Sequence, residues 1–232
     1  MRVGEWLERF ARDGFDGVEL WENHAALASE QEILALERSP IPISIFNSYA
    51  DTDDAEAPAR QAAVQFVQRF KSRGLKYNVG KDAARREEYL RNARAWREAL
   101  GPRIRFLCEC HPGTIVEEAG AARRFFDELG GDGYEIIVHP FNRLETLDEW
   151  FEQFGPRIAH AHLQMRDESS AMARFDDYSG RARDAIRRMR AHGYAGTYTL
   201  EFAAGTRDPD ENPETLYQNA LRDFEFLKEI LQ

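Results

Sequence analysis

Four stretches of the chain finish an apolar run on a side chain that can bind a metal ion or move a proton. They are Glu109 in RFLCEC, His139 in YEIIVHPFN, His162 in IAHAHLQM and Glu201 in TYTLEF. One histidine at the end of such a run is usually a satisfied core or rim group. Two carboxylates and two imidazoles, each closing a β-rich run, are harder to explain as packing. Carboxylates drawn into one pocket repel and raise each other's pKa unless a cation lies between them. A divalent ion resolves that conflict, so Glu109, His139, His162 and Glu201 are read as a metal-ligand set.

The elements that must carry these residues follow a repeated phrase: an amphipathic helix, a glycine, then a short β-rich run. It occurs in WLERFARDGFDGVELW, FVQRFKSRGLKYNVG, WREALGPRIRFLCEC, FFDELGGDGYEIIVHP, WFEQFGPRIAHAHLQM and IRRMRAHGYAGTYTLEF. Apolar positions three or four apart, such as Leu7, Phe10 and Ala11, give each helix one buried face. The glycine suits the left-handed cap that stops a helix. GPRI stands at both 101 and 155, an echo of one repeated unit. Helices alternating with strands over short connections imply parallel strands and helical crossovers. Strands are expected near 17–21, 42–48, 76–80, 104–110, 134–140, 158–165 and 196–202, with a last helix over 213–231.

No early G-x-G-x-x-G follows a strand, which disfavours a dinucleotide-binding sheet. The expected fold is a TIM (β/α) barrel filling residues 1–232 as one domain. Seven strands are one short of such a barrel. The first β-strand is therefore read as missing, either because it lies upstream or because the barrel is open beside strand two. In this architecture chemistry sits at the C-terminal ends of the strands, where Glu109, His139, His162 and Glu201 fall. Side chains alternate along a strand, so Leu107, Ile137, His160 and Thr199 share a face with them and fill the layer beneath. Arg105 and Glu135, each four residues before a ligand, are expected to pair lower down.

Composition narrows the partners. The 232 residues carry 31 basic against 41 acidic groups, a net charge of −10. That excess disfavours nucleic acid, whose binding rests on neutralising phosphates. The arginines of RARDAIRRMR are read as the solvated face of a helix. No apolar run reaches the ~20 residues needed to span a bilayer. The first residues lack a signal-peptide core, so a cytoplasmic location and no membrane partner are expected. Cys108 and Cys110, two apart on one strand, share a face and are read as packing groups rather than a disulfide.

The chain resembles the xylose isomerase-like TIM barrels, a family with many sugar isomerases and epimerases. The likeness rests on GFDGVEL, CECHPGT, VHPFN, RIAHAHLQMRD and GYAGTYTLEF, in that order from Gly14 to Phe202. The resemblance implies one divalent ion held by residues of strands five to eight, with Glu109, His162 and Glu201 in three of the four places. The strand-six place of the family reads Asp-x-x-His, the Asp on metal and the His on substrate. Here those positions are His139 and Asn142. The change leaves two negative ligands instead of three. Two imidazoles shift preference from magnesium toward manganese, zinc, cobalt or iron. Both must be neutral to bind, so metal should be lost below about pH 6.

The activity implied is metal-assisted proton abstraction beside a carbonyl, in an isomerase or epimerase of a small sugar or polyol. Glu109 and Glu201 would exchange the proton, one removing it and the other returning it on the opposite face. His111, Asn142 and Arg166 are the substrate-binding candidates. Lys81, Glu22 and His24 are read as rim residues, His192 as a helix-end group and His160 as a support for His162. Two other readings stand beside this one: a metal-dependent dehydratase of a cyclic polyol or keto acid, and a small-molecule-binding barrel without turnover. An incomplete barrel exposes strand edges that a second subunit could cover, so a homodimer is expected.

Overall fold

Each helix-then-strand phrase folds as a helix followed by a strand. The computed structural model describes residues 2–131 and 133–232. Two compact units divide the chain, Met1–Ile136 and Ile137–Gln232.

The first unit runs α1 (Leu7–Arg12), β1 (Val18–Trp21), α2 (Glu22–Ala26), α3 (Glu30–Glu37), β2 (Ile43–Asn47), α4 (Ala57–Phe70), β3 (Gly74–Tyr77), α5 (Arg86–Leu100), β4 (Arg105–Glu109) and α6 (Ala119–Leu129). Strands β1 to β4 pair in chain order and in parallel. Their register sets Asn47 opposite Lys76 and Lys76 opposite Leu107. The helices bury the stripe their spacing demands, for example Tyr89, Leu90, Ala93, Trp96 and Leu100 of α5. Beneath that stripe the Tyr77 and Phe106 rings stack with centroids 3.7 Å apart, and Trp96 meets both edge-on. Arg105 grips Glu135 with two parallel bonds of 2.8 and 2.9 Å, as the sequence leads one to expect.

Strand β5 (Glu135–Val138) carries the chain into the second unit. There follow α7 (Leu147–Phe154), β6 (Ile158–Leu163), β7 (Met165–Arg166), β8 (Met172–Ala173), α8 (Ser179–Ala191), β9 (Thr197–Leu200) and α9 (Pro213–Leu231). β6 and β9 pair in parallel, with His160 opposite Thr197 and His162 opposite Thr199. Helix α8 buries Ala182, Ala185, Ile186 and Met189. Its arginines face outward, Arg183 to Glu229 and Arg188 to Asp148 and Asp184. Helix α9 starts where Asn212 accepts from the Glu214 and Thr215 amides and Pro213 takes the first turn.

Two expectations need correction. The third strand is Gly74–Tyr77, not 76–80, because α4 stops earlier than its glycine suggests. Lys71 itself takes the left-handed cap, at φ 56°, which frees Gly74 to open the strand. The strand expected over 158–165 ends at Leu163, and a small antiparallel hairpin, β7 with β8, follows. Asp167 folds its turn by accepting from the Ser169 and Ala171 amides. Cys108 and Cys110 are buried free thiols, with sulfurs 4.0 Å apart. Among the described residues, no helix is long and apolar enough to cross a membrane.

Candidate functional site

The strand ends deliver the four residues at similar positions along their elements. Glu109 is the last residue of β4 and His162 the penultimate residue of β6, while His139 and Glu201 directly follow β5 and β9.

In the second unit three of them come together. The Glu201 carboxylate lies 3.4 Å from His162 Nδ1 through Oε1 and 3.7 Å from His139 Nδ1 through Oε2. The two imidazole rings are perpendicular, with centroids 5.2 Å apart. His162 is fully buried and the Glu201 side chain nearly so. Four ligands bound tetrahedrally at about 2.0–2.1 Å stand roughly 3.4 Å from one another. The two imidazoles approach different oxygens of the carboxylate, so the spacings do not by themselves define one ligand polyhedron; by chemistry, the donor set suits a borderline or hard divalent ion. These residues fit a metal.

Their support comes from β6, whose inward positions are His160, His162 and, just past its end, Gln164. His160 bonds Thr197 Oγ1 through Nδ1 at 2.7 Å and Thr199 Oγ1 through Nε2 at 3.0 Å. With both nitrogens so engaged it is a packing and orienting group, its ring edge-on to His162 at 5.3 Å. Gln164 Nε2 donates to Glu201 Oε2 at 2.6 Å and stands 3.4 Å from His139 Nδ1. The carboxylate can only accept, so the amide nitrogen must face it. That turns Gln164 Oε1 away, buried and with no donor among the described residues.

Glu109, in the first unit, is held differently. Its Oε2 is 2.7 Å from Lys76 Nζ, and neither side chain is open to solvent. The same ammonium lies 3.5 Å from the Ser48 carbonyl and 3.9 Å from the Tyr49 ring centroid. Sequence reasoning missed both Lys76 and Gln164. A lysine in the middle of GLKY, and a glutamine two residues past His162 on its face, were the available signals. Counting two negative ligands without Lys76 misjudged the local charge around Glu109.

The other candidates are less committed. His111 is exposed, with Nδ1 2.9 Å from the Pro112 carbonyl. Asn142 is half-buried in the turn after β5. Arg166 donates to the Ser170 carbonyl at 2.9 Å and braces the β7–β8 hairpin. Glu22 accepts from Ser48 Oγ and the Tyr49 amide, which ties the β1 and β2 ends together. Lys81 is exposed. Burial lowers the His24 pKa, and its ring meets Trp21 edge-on. His192 closes α8, bonds Asp148 at 2.9 Å and stacks on Phe151, a helix-end role.

No family model and no curated protein matches the chain in sequence. Solved structures do match in shape. A D-psicose 3-epimerase in the presence of D-fructose has a TM-score of 0.75 at 13% identity, over 100% of this chain and 94% of that one. The probable 3-DHS dehydratase AsbF, involved in petrobactin synthesis in Bacillus anthracis, gives 0.73 at 16%, over 98% and 94%. A xylose isomerase-like TIM barrel protein from Mycobacterium smegmatis in complex with magnesium gives 0.65 at 14%, over 99% and 89%. The fold these likenesses show is a TIM barrel.

Proposed function

We propose that the chain is a metal-dependent isomerase or epimerase acting on a small sugar or polyol. Glu109, His139, His162 and Glu201 would hold one divalent ion. The observation that carries the reading is the convergence of the His139 and His162 rings on the two oxygens of the Glu201 carboxylate, at 3.7 and 3.4 Å. A bound ion would polarise a substrate carbonyl and acidify the neighbouring C–H. Glu109 and Glu201 are the carboxylates that would take and return that proton. Gln164 orients Glu201 by donating to Oε2, and Lys76 is ion-paired with Glu109 Oε2. His111, Asn142 and Arg166 remain the proposed substrate contacts, Arg166 only if it leaves the hairpin carbonyl it braces. The shape match to sugar-epimerase structures supports this reading, as does the magnesium bound in the Mycobacterium smegmatis structure. The mixed imidazole–carboxylate set favours manganese, zinc, cobalt or iron.

A second reading has its own support in the likeness to a probable dehydratase. The same proton abstraction followed by loss of a β-hydroxyl would make the chain a lyase. We further propose a cytoplasmic protein whose partner is its small substrate, assembled as a homodimer. Incubation of the metal-loaded protein with ketoses and inososes in heavy water tests the reading. Deuterium at the carbon beside the carbonyl, with otherwise unchanged mass, supports the isomerase. A product lighter by one water supports the lyase, and no exchange in any substrate defeats both.

A further inference from the structure

Lys76 poses a question that packing does not answer. Removing an ammonium from water costs several kcal/mol, and a buried ion pair is often no more stable than apolar residues of the same volume. Its neighbours on β3 show the ordinary solution: Leu75 and Tyr77 fill their places as apolar and aromatic groups. Tyr77 is buried as fully, and burial pushes its phenol well above the usual range, so it stays uncharged. Lys76 is different, because its Nζ is aimed at a carboxylate and makes its shortest contact there, at 2.7 Å. The Ser48 carbonyl at 3.5 Å is a weak second acceptor, and the Tyr49 ring face takes the remaining side of the ammonium.

We infer that Lys76 sets the charge of the proposed metal centre: by pairing with Glu109 it weakens the hold on a divalent cation and preserves that cation's acidity. The inference rests on the reading that Glu109 is a ligand. A carboxylate whose charge is shared with an ammonium donates less to a second cation, and like charges so close in a dry interior repel strongly. The design exchanges affinity for electrophilicity. Lys76 is thus a positioning residue, acting through Glu109 rather than on substrate.

The test is a titration of metal-stripped protein with cobalt(II) chloride, followed by visible absorption, for the natural chain, Lys76→Met and Lys76→Gln. Glutamine retains a donor for Glu109 and keeps the pair satisfied should the methionine variant fold poorly. Circular dichroism checks each fold. The expected result is cobalt binding at least tenfold tighter in the charge-removing variants, about 1.4 kcal/mol. That result would hold even if the natural chain bound cobalt too weakly to measure. Equal or weaker binding in the variants, beside measurable binding by the natural chain, overturns the role of Lys76 and leaves the metal centre standing. Binding by none of the three overturns both the inference and the proposed function.

Discussion

Glu109 and Glu201 are the same side chain at equivalent strand ends, yet their surroundings differ in kind. Glu109 is neutralised by a buried cation, Lys76, at 2.7 Å. Glu201 is met instead by neutral or titratable groups: the Gln164 amide at 2.6 Å and two imidazoles within 4 Å. The first environment sets a fixed cation against the carboxylate, at the expense of desolvating two charges. The second leaves a carboxylate whose charge calls for another cation. Asp223 in α9 shows what burial does when neither solution is complete. It accepts from the Phe175 amide at 2.8 Å, but desolvation, aided by nearby Asp176, raises its pKa to about 7.

The largest expected effect comes from erasing the charge that the contrast concerns. Glu201→Gln should cut proton exchange by about 10²–10⁴-fold, the usual share of a general acid or base. It should also loosen metal. Glu109→Gln should damage exchange similarly but leave Lys76 without its anion, so only this variant should lose stability in the metal-free state. Equal stability of the two variants by chemical denaturation would break the distinction.

Removing the cation instead of the anion comes next. Lys76→Met should destabilise the metal-free protein by about 3–5 kcal/mol, because a buried carboxylate is left uncompensated. The double variant Lys76→Met/Glu109→Gln should recover much of that loss, and urea unfolding of the set measures it. A single variant as stable as the natural chain would show that the pair is not buried as described.

Asp223 supplies the pH test. Its folded pKa of about 7 lies above the ordinary carboxylate value, so between the two the folded chain binds more protons than the unfolded one. Stability therefore falls as pH rises through roughly 4 to 7, by up to about 1.4 kcal/mol per pH unit, and levels off above. Asp223→Asn keeps an acceptor for Phe175 without the charge. It should flatten this slope and be more stable than the natural chain at pH 8; an unchanged slope would remove Asp223 as its source.

Gln164→Leu should have the smallest effect, about a tenfold loss in rate, the worth of one hydrogen bond to a charged group. The loss should appear in kcat more than in KM if the amide orients Glu201 and does not bind substrate. A change in KM alone would assign Gln164 Oε1 to the substrate instead.

Much of the fold was legible because its signals are local and repeated. Helical spacing, a stop, then a β-rich run recur six times, and the four strand-end residues fall where that rhythm puts them. The Arg105–Glu135 pair was readable from spacing alone. What escaped depended on boundaries. Taking Gly74 as a helix cap moved the third strand two residues on and placed Lys76 at its start, where a lysine looks like an exposed end. With Lys71 as the cap, Lys76 is inward and central. Gln164 was hidden similarly: a strand read through to Met165 gives its amide no special place. The hairpin after Leu163 makes it the residue that closes β6. Neither side chain carries a motif, and their meaning lies in contacts to Glu109 and Glu201.

The most direct test of the metal centre is elemental analysis of the purified chain after equilibration with manganese, zinc, cobalt and iron, beside His162→Ala treated identically. One divalent ion per natural chain and well under half an ion in the variant is the predicted result. A natural chain that emerges without stoichiometric metal, or a variant that retains it in full, would contradict the account.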